Sequence, residues 1–240
     1  MNEKRIEIIY SDKSVAVCIK PSGVSSESAE GRCGMPDLIA AELKADYVGT
    51  VHRLDTVTEG LMIYSLDKKV TGKLTEAIAA RDTEKEYLAI VHGKPADNEG
   101  EMRDLLFRDA GKNKTYVVKR ERRGVREAIL TYSTIETKET DYGTLSLVRV
   151  KLVTGRTHQI RAQFASRSMP LVGDGKYGAK DNAPQVALYS ARISFTHPLR
   201  EKRMEFERMP NGMPWELFNI RQNSDNKQET DQDGACNKNL

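Results

Sequence analysis

Apolar positions along this chain follow two periods, and segments of each period interleave. Ile6 to Tyr10 and Val15 to Lys20 are short apolar runs on either side of a Ser-Asp-Lys turn, which predicts two strands. Pro21-Ser22-Gly23 ends the second. Residues 25–35 are rich in Ser, Glu and Gly and are expected to form a mobile loop. Pro36 to Lys44 predicts a helix with Leu38, Ile39 and Leu43 on one side. Leu61 to Leu66 is a continuous apolar run and predicts a buried strand. Asp67 can cap a helix from Lys68 to about Arg81, in which Val70, Leu74, Ala77 and Ile78 fall at helical spacing.

The second half is richer in strands. Glu86 to Val91 predicts one, ended by Gly93-Lys94-Pro95, and residues 96–126 look irregular and basic. Glu127 to Glu136 and Thr144 to Val153 predict two more. In the latter, Val148, Val150 and Leu152 share one face and Arg149 and Lys151 the other, a half-buried pattern. Thr154-Gly155 turns the chain into a predicted helix from Arg156 to about Ser166, anchored by Ile160 and Phe164. His158 and Arg161 lie on a neighbouring face and can act at one place. A tight loop from Leu171 to Gly178 and strands at Val186 to Phe195 and Glu201 to Glu207 complete the pattern. Many strands at hairpin spacing with few helices predict an α+β fold, mostly antiparallel. No clean boundary divides residues 1–221. Beyond Arg221 the chain is polar and acidic, without an aliphatic core former until Leu240, so 222–240 is expected to be a disordered tail.

Composition narrows the class. A charged fraction of 30% and a hydrophobic fraction of 38% suit a soluble globular protein. No apolar run approaches the roughly 18 residues of a membrane helix. Met1 to Arg5 leads into a strand-like run and not a secretory segment, so a cytoplasmic location is expected. Net charge is +3, but Lys119 to Arg126 is strongly basic and the tail, with Asp225, Glu229, Asp231 and Asp233, is acidic. A local basic stripe suits a polyanion that is bound and released; equally, it can be a solvated hairpin tip. Cys18, Cys33 and Cys236 form neither a disulfide framework nor a zinc pattern. His52, His92, His158 and His197 lack metal-ligand spacing, and no metal is expected.

The stretch His52-Arg53-Leu54-Asp55-Thr56-Val57-Thr58-Glu59-Gly60-Leu61-Met62 is the centre of the chain. Asp55 stands in a polar turn that feeds the buried strand, a placement that can hold a reactive group rigidly over a cleft. Taken singly, each candidate has a plain explanation. Asp55 can be half of a surface ion pair, Tyr87 a half-buried strand tyrosine, Arg161 a surface cation and His158 a hydrogen-bonded structural histidine.

Taken in order, the motifs resemble the RluA-type pseudouridine synthases. They read His52 to Leu61 (His-Arg-Leu-Asp-x-x-Thr-x-Gly-Leu), Lys85 to Gly93 (Lys-x-Tyr-x-Ala-x-Val-x-Gly), Thr154 to Arg161 (Thr-Gly-Arg-Thr-His-Gln-Ile-Arg) and Gly173 to Gly178 (Gly-Asp-x-x-Tyr-Gly). Ile19-Lys20-Pro21-Ser22-Gly23 and Thr196-His197-Pro198 also match, so the resemblance covers about residues 6–210. The chain departs from the family at Ile19, at Gln163 and at Glu59, which brings a second carboxylate near the expected site. It begins directly at the catalytic fold, so the S4 RNA-binding domain that often precedes that fold in the family is not expected.

The resemblance implies a mostly antiparallel mixed sheet with flanking helices and a central active-site cleft. It implies isomerisation of uridine to pseudouridine in ribosomal or transfer RNA, with no cofactor. Asp55 is then the catalytic carboxylate, Arg161 its partner, and Tyr87 the aromatic against the uracil. Arg53 fills the space a flipped base leaves, and His52, Lys85, Arg156 and His158 contact the substrate. RNA is the expected partner, with no membrane or metal, and a monomer is the default. A non-catalytic RNA-binding or RNA-folding factor on the same fold is the alternative. A glycosidase would need a second carboxylate at a set distance from Asp55, and Glu59 is the only near candidate.

Overall fold

A computed structural model of the chain describes residues 6–79, 83–218 and 220. The expected tail at 222–240 and the expected helix end at Arg81 lie outside them. One eleven-stranded mixed sheet organises the described residues. Its strands are β1 (Glu7–Ser11), β2 (Val15–Lys20), β3 (Gly49–Thr50), β4 (Glu59–Ser65), β5 (Glu84–His92), β6 (Glu99–Asp109), β7 (Lys114–Val118), β8 (Val125–Thr140), β9 (Gly143–Leu152), β10 (Leu188–Thr196) and β11 (Arg203–Glu207). The spatial order is β1-β2-β4-β10-β5-β9-β8-β6-β7, with β3 on β4 and β11 on β10. Three α-helices flank it: α1 (Met35–Leu43), α2 (Lys68–Ala79) and α3 (Gln159–Ser166).

The continuous apolar run of β4 is explained by burial on both faces. Leu61 and Ile63 pack with Val15, Val17, Leu74 of α2, Ile193 and Phe195 on one face. Met62 and Tyr64 pack on the other, among Met35 and Ile39 of α1, Tyr87, Val148, Val150, and Ile160 and Phe164 of α3. Tyr87 and α3 therefore belong to the same face. Asp67 caps α2 as expected, its Oδ1 accepting the Lys69 N–H at 2.8 Å.

Two long antiparallel stretches meet at the β4–β10 contact. That contact is parallel and short, with Tyr189 opposite Glu59 and Ser190 opposite Gly60. Gly60 sits at φ 118°. A Cβ there would collide with the Ser190 backbone, so the close approach demands glycine. Ser190 lies opposite Tyr87 on its other side, next to a register shift in the β10–β5 pairing. Tyr87 in turn pairs with Val150. Gly60, Ser190, Tyr87 and Val150 thus form one row across the sheet, and the Asp55 turn enters at its β4 end.

Two segments differ from expectation. Residues 96–126 are not irregular: they build the β6–β7 hairpin and lead into β8. Met102 and Leu106 are the buried apolar positions of β6, but Asp104 shares their face and Leu105 and Phe107 stand on the other, so the strand's alternation is masked. Helix α3 starts at Gln159, not Arg156. The Gln159 side-chain oxygen accepts from the Arg156 N–H at 3.0 Å and from Thr154 Oγ1 at 2.8 Å, which holds the preceding chain as a turn. Among the described residues no helix is long and apolar enough to cross a membrane.

Candidate active site

Asp55 begins a turn closed by Thr58 N–H on the Asp55 carbonyl at 2.9 Å. The segment before α1 braces this turn. Ser26 Oγ donates to the Leu54 carbonyl at 2.8 Å and accepts the Leu54 N–H at 3.0 Å. Gly23 N–H donates to the Thr56 carbonyl at 2.8 Å. The fully buried Lys20 ammonium donates to the carbonyls of Pro21, Val24 and Thr56. Ser26, in the stretch expected to be mobile, is buried and is one of these braces. A turn held from several directions keeps its side chain in one place.

The Asp55 carboxylate opens into a cleft of about 980 Å³. Arg53, Lys85, Tyr87, Arg156, His158 and Arg161 line the same cleft. Arg161 comes from the first turn of α3 and is 4% exposed. Its Nη1 donates to Asp55 Oδ2 at 3.3 Å. Its Nε and Nη2 donate to the two oxygens of Asp174 at 2.7 and 2.8 Å, a bidentate grip on a carboxylate that is 1% exposed. Burial works against the Arg161 charge, but Asp174 and then Asp55 outweigh it and raise its pKa. The guanidinium also lies over the Tyr177 ring, 4.9 Å from its centre.

His158 is buried at the start of α3, with Nε2 3.8 Å from Asp55 Oδ2 and Nδ1 2.9 Å from the Tyr177 hydroxyl. Burial pushes its pKa below the ordinary histidine value; Asp55 works in the opposite direction. Tyr87 is buried, and its hydroxyl is pushed well up by burial and by the Asp55 charge. Burial lowers Lys85 to about 8. Arg53 is exposed and pairs with Glu27 at 3.1 Å. Arg156 is exposed, its Nε donating to the Glu127 carbonyl at 3.0 Å.

His52 stands apart from the other expected substrate contacts. It is buried outside the cleft lining, and its Nε2 accepts the Ile63 N–H at 3.0 Å, a bond that ties the turn to β4. Glu59 is also absent from the lining. Burial raises its pKa, and Lys20 works in the opposite direction. Asp174 and Tyr177 were not singled out in the sequence. The signal was present in Gly173-Asp174-x-x-Tyr177-Gly178, but a carboxylate between glycines also suits a solvated turn. Among the described residues no group of three His, Cys, Asp or Glu side chains is arranged to hold a metal ion.

Comparison with known proteins gives one answer. Residues 14–166 match the sequence pattern of the RNA pseudouridylate synthase family. An uncharacterized RNA pseudouridine synthase of Mycobacterium bovis is 30% identical over 217 residues, covering 82% of this chain and 67% of its own. The ribosomal large subunit pseudouridine synthase C of Buchnera aphidicola is 31% identical over 208 residues, covering 82% and 64%. This chain therefore spans about two thirds of the length of those two relatives. The dual-specificity RNA pseudouridine synthase RluA of Salmonella typhimurium is 28% identical over 218 residues, covering 85% and 93%. In fold, the chain is similar to human RNA pseudouridylate synthase domain containing 1, with a TM-score of 0.73 at 20% identity over 89% of this chain and 86% of that one.

Proposed function

This chain belongs to the RNA pseudouridylate synthase family, a family of isomerases, and we propose that it converts specific uridines of ribosomal or transfer RNA to pseudouridine with Asp55 as the catalytic carboxylate. The observation that carries this reading is the braced Asp55 carboxylate, open to the cleft and paired with the buried Arg161.

In the reaction the N1–C1′ bond breaks, the base turns, and C5 bonds to C1′. The C5 proton leaves and N1 takes one up, so the product is an isomer and no cofactor is consumed. A charged carboxylate in a partly dry cleft is costly without a counter-charge, and Arg161 supplies one. From that position Asp55 can attack the ribose or the base, or take a proton from the ribose. Tyr87 offers a ring for the uracil to stack on and a hydroxyl to move the C5 proton. A uridine within RNA structure must be flipped out to reach Asp55. Arg53, exposed at the mouth beside the turn, fills the space the base leaves. Lys85 and Arg156 contact the flipped nucleotide and its phosphates. The reading carries with it a cytoplasmic location, where both RNA classes are met.

Pseudouridine mapping by chemical labelling of total RNA tests this. Cells with and without the protein are compared, and the latter are complemented with wild type or Asp55→Ala. One or a few sites should vanish and return with wild type alone. Unchanged sites, or restoration by Asp55→Ala, would refute the proposal.

A further inference from the structure

The ring of His158 has its proton placed for it. Thr115 N–H donates to the Tyr177 hydroxyl oxygen at 2.8 Å, and that oxygen lies 2.9 Å from His158 Nδ1. The two rings meet edge-on at 87°. The Tyr177 O–H has two acceptors within reach, Nδ1 and the Thr115 hydroxyl oxygen; donation to Nδ1 is the arrangement that turns an N–H, and not a lone pair, of the imidazole towards the Asp55 carboxylate. A neutral imidazole whose Nδ1 accepts carries its proton on Nε2. That nitrogen faces Asp55 Oδ2, the same oxygen that Arg161 Nη1 addresses.

We infer that His158 is a positioning residue whose tautomer is set by Tyr177, so that Nε2–H and the Arg161 guanidinium together anchor Asp55 Oδ2 and leave Oδ1 as the reacting oxygen. The inference rests on the proposed function for the identity of the reaction. At 3.8 Å the Nε2 contact is longer than a hydrogen bond. The inferred anchoring requires it to shorten when the cleft fills, as active-site bonds often do on substrate binding. The backbone supports the assignment. His158 sits at φ 53°, a left-handed conformation that a non-glycine residue holds at a cost. Paying it aims the ring at Asp55 and Tyr177 from the helix start.

The charged groups around the ring come from four elements. Asp55 faces it from the turn before β4 and Arg161 from α3. Asp174 and Lys176 face it from the short turn at 174–177. Lys114 of β7 lies 5.0 Å from the centre of the Tyr177 ring. Burial, joined by Arg161 and Lys176, outweighs Asp55 and Asp174 and lowers the imidazole's pKa, which favours the neutral form in which a single tautomer can be held.

The first test needs no RNA. Full-length protein labelled with 15N-histidine is examined by long-range 1H–15N correlation at neutral pH, with the His158 signals assigned by their loss in His158→Gln. The expected result is the Nε2–H form in wild type and a mixture in Tyr177→Phe. An Nδ1–H form in wild type, or an unchanged tautomer in Tyr177→Phe, overturns the inference. The second test uses a synthetic stem-loop around a mapped target uridine. Single-turnover rate and RNA affinity are measured separately. His158→Leu should slow the chemical step about 10–100-fold with affinity held within about twofold. His158→Gln, whose amide N–H can replace Nε2–H, should recover to within about fivefold of wild type. Equal rates for Leu and Gln, or a loss confined to affinity, overturn the role. Wild type inactive on every RNA would sink the proposed function, while the tautomer result would still decide how His158 is held.

Discussion

Arg161 gives two of its N–H groups to Asp174 and one to Asp55. The Asp174 bonds, at 2.7 and 2.8 Å, are also the shorter ones, against 3.3 Å to Asp55. Asp174 therefore fixes the plane of the guanidinium, and Asp55 meets a cation whose direction is already set. Removing one partner of such a buried pair leaves an uncompensated charge. Asp174→Ala should lower stability by about 3–5 kcal/mol, read by urea denaturation, and should slow isomerisation as Arg161 loses its orientation. A denaturation midpoint equal to wild type would mean that water reaches Arg161 and that Asp174 does not hold it.

Asp55→Asn keeps the size of the side chain and removes its charge. With Asp174 still holding Arg161, the site should keep its shape. Isomerisation should be abolished, while RNA affinity, carried mainly by phosphate contacts, should fall by less than about tenfold. Turnover by the Asn variant, measured by carbodiimide labelling of the product, would remove Asp55 from the chemistry.

What could be read from the chain divides along physical lines. Local patterns reported well: the β4 run, the α2 face and its Asp67 cap, and the α+β class all follow from residues close in sequence. The convergence of Asp55, Tyr87, His158 and Arg161 was legible through the order of their motifs, not through periodicity. Interactions across the fold were not legible. Nothing near Asp174 in sequence marks it as the partner of a buried arginine, and nothing near Tyr177 says that Thr115 of β7 donates to its hydroxyl. The β6 strand was hidden because Asp104 shares a face with Met102 and Leu106 while Leu105 and Phe107 stand on the other. The early helix start was wrong because a Gln159 side chain captures the Arg156 N–H, a contact that propensity does not report.

Gly60 couples the Asp55 turn to the sheet. Its φ of 118° is unfavourable for any other residue, and an added Cβ would meet the Ser190 backbone, which cannot yield as a flexible side chain would. Gly60→Ala should destabilise the fold by more than about 2 kcal/mol in urea melts. Its remaining folded fraction should be slow in catalysis, because the turn carrying Asp55 is displaced. A variant that melts and turns over like wild type would show that β4 and β10 can separate without cost.

Lys85 supplies the pH dependence. Burial lowers it to about 8, so the free enzyme carries this cation below that pH and loses it above. The sign for stability follows: the folded chain binds this proton less tightly than the unfolded chain, so raising the pH from about 8 towards the ordinary lysine value favours folding. Function runs the other way. The kcat/KM profile, which reports the free enzyme, should fall on the alkaline side from about pH 8. Lys85→Arg, charged throughout, should move that limb upward. An alkaline limb in the same place for both proteins would assign it to another group.

The basic segment 119–126 tests how far the RNA extends beyond the cleft. Residues 119–124 of it connect β7 to β8, and Lys119, Arg120 and Arg123 are exposed. Arg122 differs, its guanidinium lying 4.4 Å from the centre of the Phe107 ring, where it contributes to packing. The β6–β7 hairpin that precedes it sends Arg108 and Asn113 into the cleft lining, so a strand seated at Asp55 can continue along that hairpin. Each phosphate neutralised by a cation releases counterions and adds to the slope of affinity against salt by about 0.7 for a single strand and about 0.9 for a duplex. Reversing Lys119, Arg120 and Arg123 to Glu, with Arg122 left in place, should weaken RNA binding and flatten that slope by about two to three. The chemical step at saturating RNA should stay near wild type, since none of the three lines the cleft. A slope identical to wild type would mean that this turn faces away from the RNA.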